Sequence, residues 1–212
     1  MKLYNADFSP NCFRVRAVIN ELGLDVELID VDLTPNAAKP PGFLDVSPHG
    51  KVPAFVDDDG FSLFESRAIN TYLASKRPER GLYPDDPKRR AIVDQWSYWQ
   101  AIHLGPAMQT VAFERIAKPK WKLGATDEAT VTAKLAEVAR FMPVLERGLE
   151  GKEWLAGTLT LADIATATTF PLRAAAGISI ANAPNVQRWI ERVEALPSFK
   201  RAMPTYYAEA RA

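Results

Sequence analysis

Ser9-Pro10-Asn11-Cys12-Phe13-Arg14-Val15-Arg16 is the stretch on which the fold turns. It comes after a short apolar run, Leu3 and Tyr4, and opens an amphipathic segment. A strand is expected to end there and a helix to begin. Pro10 suits a first helical turn, where its missing N–H would have no intrahelical partner. A helix N-terminus presents unpaired N–H groups and partial positive charge, which favour an anion. Ser9 and Cys12 both stand at that terminus. They are either a hydroxyl and a thiol for thiolate chemistry, or a helix cap and a buried cysteine.

On the N-terminal side, Lys2 to Asn5 reads as a strand. On the other side, Val15, Val18, Ile19 and Leu22 recur at helical spacing, and Gly23 is placed as the stop that tolerates positive φ. Val26, Leu28, Ile29 and Val31 form a second strand. A strand, helix and strand in about 30 residues predict a βαβ unit with parallel strands. Thr34 to Gly50, with Pro35, Pro40, Pro41 and Pro48, predicts a loop holding at most a short helical turn. Val52-Pro53-Ala54-Phe55-Val56 and Phe61-Ser62-Leu63-Phe64 flank Asp57-Asp58-Asp59-Gly60, a hairpin signal. Pro53 cannot donate to a ladder and must stand at a strand start or an edge. Ser66 to about Ser75 predicts a third helix.

Residues 77–87 are polar and rich in proline, a linker signal. Beyond the linker the pattern is all-helical. The expected helices run from Pro87 to about Val111, Asp127 to Leu149 with a kink at Pro143, Thr158 to Ala176, Pro184 to Ala195, and Ser198 to about Glu209. Thr160-Leu161-Ala162-Asp163 is a capping box, a folding feature given no catalytic role. The fold class is therefore an α/β domain, 1–76, then the linker and an all-α domain, 88–212.

Composition narrows the function classes. Among 212 residues, Lys plus Arg equals Asp plus Glu at 26 each, so no net field draws in nucleic acid or an anionic membrane. No apolar run approaches the roughly 18 residues of a membrane span. Met1 to Asp7 lacks the apolar core of a signal peptide, and a cytoplasmic location is expected. One cysteine and two separated histidines, His49 and His103, predict neither a disulfide nor a metal site.

Three stretches then act together: Ser9 to Arg16, Gly50-Lys51-Val52-Pro53-Ala54-Phe55, and Glu65-Ser66-Arg67-Ala68-Ile69. With the linker and helical half, the chain resembles the cytosolic glutathione S-transferase family over nearly its whole length. It looks most like bacterial members and the serine-type phi class, with beta, theta, zeta and omega relatives as near competitors. The resemblance implies a thioredoxin-like βαβ-ββα domain that binds glutathione as co-substrate, and a helical bundle that carries the acceptor pocket. It also implies a homodimer.

By the same resemblance Ser9 is the catalytic residue, donating to the glutathione sulfur. Lowering that thiol's pKa by about two units stabilises the thiolate by roughly 2.7 kcal/mol. Pro53 matches the family's cis-proline, which exposes the N–H and C=O of Val52 to the cysteinyl unit. Glu65 and Ser66 match the acid and hydroxyl that grip the γ-glutamyl ammonium and carboxylate. Lys39 and Lys51 match cations that meet the glycyl carboxylate. The resemblance implies transfer of glutathione to a hydrophobic electrophile.

Other readings stand beside these. The lesser reading of Ser9 is a simple cap, and Cys12 reads first as a small buried apolar residue. If Cys12 is a working thiol, the chain is a glutathione-dependent disulfide or peroxide reductase. A non-catalytic binding protein on the same fold is the third reading. His49 and His103 read as a loop residue and a helix-face residue. Trp96, Trp99, Phe113 and Trp121 read mostly as core, with one or two lining an apolar pocket.

Overall fold

The computed structural model describes residues 1–34 and 36–211, without the side chains of Ala208 and Arg211. Pro35, expected in the loop, lies outside the described residues. The first half builds a four-stranded sheet in the order β2-β1-β3-β4 from β1 (Lys2–Asn5), β2 (Glu27–Asp30), β3 (Ala54–Val56) and β4 (Ser62–Phe64). β1 runs parallel to β2, with Leu3 opposite Leu28, and antiparallel to β3, with Leu3 opposite Phe55. β3 and β4 form the expected hairpin, closed by Asp57 N–H on the Phe61 carbonyl at 2.8 Å.

Helix α1 (Pro10–Leu22) starts with Pro10 in its first turn and ends on Gly23 in the left-handed conformation, φ 65°. The short α2 (Phe43–Val46) is the helical turn inside the loop, and α3 (Ser66–Ser75) comes directly after β4. Leu3, Phe13, Val15, Phe55, Ile69 and Leu73 are buried in the main core. Tyr4, Cys12, Phe43, Val52 and Ala54 form a second cluster. The alternation of Leu3 and Tyr4 thus fills both clusters from one strand. Each such side chain, fully removed from water, contributes roughly 1.5–3 kcal/mol.

The helical half departs from the sequence expectation in three places. The helix from Pro87 does not stop near Val111. It continues as α4 (Pro87–Trp99), a π-helical stretch Gln100–Leu104, α5 (Gly105–Ala112), a second π-helical stretch Phe113–Ala117, and α6 (Lys118–Lys120). Pro106 and Pro119 each come just after a π-helical stretch. A proline lacks the N–H of a regular turn and clashes with the carbonyl four residues back, and a widened turn accommodates it.

The expected helix 158–176 is only α8 (Leu161–Ala167), with turns beyond. Pro171 cannot continue the hydrogen-bond ladder, and Thr169 N–H and Phe170 N–H bond three residues back instead. The last expected helix is two, α10 (Pro197–Ala202) and α11 (Thr205–Arg211), because Met203 precedes Pro204 and is extended. α7 (Glu128–Gly148) and α9 (Pro184–Ala195) match, with Pro143 inside α7.

The Thr160–Asp163 cap is present and larger than a local device. Asp163 is buried and accepts from Thr160 N–H and hydroxyl, from Leu155 N–H at 2.9 Å and from Trp189 Nε1 at 3.0 Å. It therefore ties α8 to α9 and to the preceding loop. The two halves are locked by α1 against α10. Phe13 packs on Phe199 with ring centroids 4.8 Å apart, and Arg16 donates to the Ala202 carbonyl at 3.0 Å.

Candidate active site

Ser9 caps α1 from extended backbone. Its hydroxyl oxygen accepts the Cys12 N–H at 3.3 Å. A hydroxyl has one proton and two acceptor lone pairs, so using the oxygen here leaves the O–H as a donor. Cys12 sits beneath, with no exposed surface, and its sulfur accepts the Ala6 N–H at 3.4 Å. Burial pushes its thiol up, against the pull of the Ala6 N–H and the Ser9 hydroxyl. A buried thiol with a raised pKa is a poor nucleophile, so Cys12 is the small core residue of the two readings.

A small cavity of about 150 Å³ opens beside the N-termini of α1 and α3. Lys51, Val52, Pro53, Glu65 and Ser66 line it together with Asn11 and His49. Five residues picked from two separated stretches thus meet at one place. The Val52–Pro53 peptide is cis. Among the described residues, no backbone partner is found for the N–H or C=O of Val52. Glu65 has φ 72°, a conformation that side chains disfavour, at the join of β4 and α3. Lys39 is not brought to this cavity. Its ammonium donates to the Asp32 carbonyl.

Three residues of this region carried no assigned role in the sequence. Asn11 lines the cavity, and His49 shares it, with Nδ1 3.0 Å from the Ser47 hydroxyl and its ring 5.0 Å from Phe64. Arg14 lies behind both helix N-termini, donating to Asn11 Oδ1 at 2.7 Å and to the Ser66 hydroxyl oxygen at 2.8 Å. Asn11 and Arg14 stood inside the opening stretch, yet nothing in their spacing marked them. Their roles depend on a helix more than 50 residues away.

A second, polar cavity of about 230 Å³ shares Asn11, Glu65 and Ser66 with the first and continues to Arg67, Gln100 and Gln109. Arg67 reaches across to the helical half, donating from Nε to the Ser97 carbonyl at 3.1 Å and to Gln100 Oε1. A third cavity, about 290 Å³, is apolar and has Pro10 in its wall. Phe8, Phe113, Trp121, Leu172, Tyr206 and Tyr207 form most of its wall. Of the four aromatic residues expected as core with one or two lining an apolar pocket, Phe113 and Trp121, 44% and 40% exposed, are the two on that wall. Trp121 stacks against Phe8 at 5.3 Å and Tyr206 at 5.5 Å. Ser9 lines none of these three cavities, but the two residues after it do: Pro10 belongs to the aromatic wall and Asn11 to both polar cavities.

Residues 1–75 match the family model "Glutathione S-transferase, N-terminal domain", and residues 103–197 match "Glutathione S-transferase, C-terminal domain". The chain belongs to the glutathione S-transferase family. It is 39% identical to glutathione S-transferase 3 of Zea mays, over 96% of this chain and 93% of the relative. It is 36% identical to glutathione S-transferase F13 of Arabidopsis thaliana, over 96% and 95% of the two chains. Among solved structures it is similar to glutathione S-transferase-I bound with lactoylglutathione, with TM-score 0.87, 29% identity, and 95% and 97% of the two chains covered. In this glutathione S-transferase a further groove, about 730 Å³, does not include Ser9 in its lining. It lies where α3 meets α4, lined among others by Phe61, Leu63, Tyr72, Tyr83 and Tyr98.

Proposed function

We propose that this chain is a phi-type glutathione S-transferase that uses the Ser9 hydroxyl to hold the glutathione thiolate for attack on a hydrophobic electrophile. The observation that carries this reading is the place of Ser9 as the cap of α1, with the next two residues, Pro10 and Asn11, lining the aromatic pocket and the polar cavity respectively. A charge-assisted hydrogen bond and the α1 N-terminus both favour a sulfur anion over the neutral thiol. The thiol proton leaves to solvent and the sulfur forms a bond to the electrophilic carbon. The leaving group, or the carbon–carbon double bond of a conjugated acceptor, takes the electron pair.

In this proposal Val52, presented by the cis Pro53 peptide, pairs with the cysteinyl backbone. Glu65 and Ser66 take the γ-glutamyl ammonium and carboxylate, and Lys51 meets the glycyl carboxylate with His49 beside it. Lys39, engaged with Asp32, drops out. Residues 1–76 act as the glutathione-binding domain, 77–87 as linker, and 88–212 as the domain supplying the acceptor pocket. The exposed side chains Phe61 and Tyr98 on the large groove suit a second copy of this chain, giving a homodimer. No helix among the described residues is long and apolar enough to cross a membrane. A cytoplasmic location, where reduced glutathione is abundant, completes the reading.

Two measurements test it: calorimetry of glutathione binding, and glutathione consumption with an activated aryl halide. Binding at submillimolar concentration with conjugate formation is expected. No heat at millimolar glutathione, or binding without conjugation of any electrophile in a panel, would leave a non-catalytic protein on this fold.

A further inference from the structure

Arg14 has 1% of its surface exposed and makes its hydrogen bonds to two neutral oxygens, those of Asn11 and Ser66. Among the described residues no carboxylate forms an ion pair with it, and its Nε has no partner. Burial and the nearby Arg67 guanidinium pull its pKa down to about 9, which still leaves it charged at neutral pH. A buried cation without a counter-ion is expensive to a fold. Stability alone gives no reason to keep one there.

The chemistry of its two partners supplies a reason. Arginine has only donors. Where it meets a serine hydroxyl it occupies a lone pair, and the hydroxyl proton must turn elsewhere. Where it meets an asparagine amide it selects the oxygen, and the NH2 group must face the other way. Asn11 and Ser66 both line the two polar cavities, and both cavities include Glu65. Arg14 thus takes one acceptor site on each and turns the Ser66 hydroxyl proton and the Asn11 NH2 away from itself, beside the N-termini of α3 and α1.

We propose that Arg14 is a positioning residue for glutathione. By holding the oxygens of Asn11 and Ser66 it makes them hydrogen-bond donors to the γ-glutamyl carboxylate. This rests on the glutathione reading of the site. Arg14 is on the wall of the second cavity but only 1% exposed, so it acts through these two side chains. Its contribution is the orientation of two donors and a positive charge behind them, which selects an anionic group at that end of the peptide.

The test compares glutathione with γ-aminobutyryl-cysteinylglycine, which lacks only the γ-glutamyl carboxylate, in wild type, Arg14→Met and Arg14→Lys. The wild type should prefer glutathione in KM by about 10-fold or more, the worth of one charge-assisted hydrogen bond. In Arg14→Met the KM for glutathione should rise to near that of the analogue, while kcat at saturation changes by less than about 3-fold. Arg14→Lys should recover part of the preference. An Arg14→Met enzyme that keeps the wild-type ratio overturns the role of Arg14, and so does one whose two KM values rise together. A wild type that does not distinguish the two peptides overturns the Ser66 assignment beneath it. If Arg14→Met does not fold, the same ratio in Arg14→Gln and Arg14→Lys decides the matter.

Discussion

The Ser9 hydroxyl oxygen accepts the N–H of Cys12 at 3.3 Å, and this contact sets what each of the two residues can do. It uses one lone pair of Ser9, leaves the O–H free to donate, and helps keep Cys12 beneath the helix end. A donor to a thiolate contributes about 1.5–3 kcal/mol, so Ser9→Ala should lower kcat by roughly 10- to 100-fold. Glutathione affinity should change little, because the peptide cradle is elsewhere. Steady-state kinetics with one electrophile checks this, and turnover within about 2-fold of wild type would remove Ser9 from the chemistry.

Cys12 has no exposed surface and a thiol pushed up by burial. Native protein should therefore resist alkylation by iodoacetamide at neutral pH and react only after unfolding. Cys12→Ala should keep conjugation activity. Rapid labelling of the native protein, or loss of turnover in the variant, would restore the reductase reading.

Gly105 is packed against Gln100. A Cβ there would stand 2.5 Å from Gln100 Nε2 and 2.6 Å from its backbone oxygen. Gly105→Ala should force the π-helical turn open and disturb the Arg67–Gln100 link, costing about 1–3 kcal/mol as overpacking does. Thermal denaturation should show Tm lower by several degrees. An unchanged Tm would mean that the turn relaxes freely.

Asp57 joins the β3–β4 hairpin to α3. Its carboxylate is held down at about 2, chiefly by the Lys76 ammonium, then by the Tyr72 hydroxyl, against the effect of burial. A carboxyl depressed below its ordinary value of about 3.9 stabilises the fold above that pH. The stabilisation is lost as pH falls through about 2. Asp57→Asn should be less stable than wild type at pH 7, and the gap should close between about pH 4 and about pH 2. Denaturation curves that stay parallel across that range would assign the acid sensitivity to other groups.

Tyr98, 60% exposed on the large groove, is the probe for self-association. Tyr98→Glu introduces a charge that a second copy would have to bury, at a cost of several kcal/mol. Sedimentation should shift from about twice the 23.5 kDa chain mass toward the single chain. A wild type that sediments as one chain, or a variant that stays paired, would place the interface elsewhere.

Much of the architecture was legible in local chemistry. Gly23, the Asp57 to Gly60 turn and the Thr160–Asp163 cap act over a few residues, so reading them needs no knowledge of distant chain. The helical half was less legible because prolines acted in two ways. Pro106 and Pro119 were absorbed by widened turns, whereas Pro171 and Pro204 ended helices. Which occurs depends on what packs around the break. Phe113 and Trp121 look like core residues by type, but aromatic type alone does not tell a core from a pocket wall.

The βαβ-ββα order and the helical half were readable along the chain, because periodicity, caps and turns are local in sequence. Ser9, Lys51, Val52, Pro53, Glu65 and Ser66 were singled out by three short stretches that resemble the glutathione S-transferase family, not by local chemistry. Three further facts needed the folded molecule: Cys12 is sealed, Lys39 is engaged elsewhere, and Arg14 holds Asn11 and Ser66 together. Burial and charge environment are set by neighbours far away in sequence. A hydroxyl becomes a donor, and a thiol stays inert, only when those neighbours are in place.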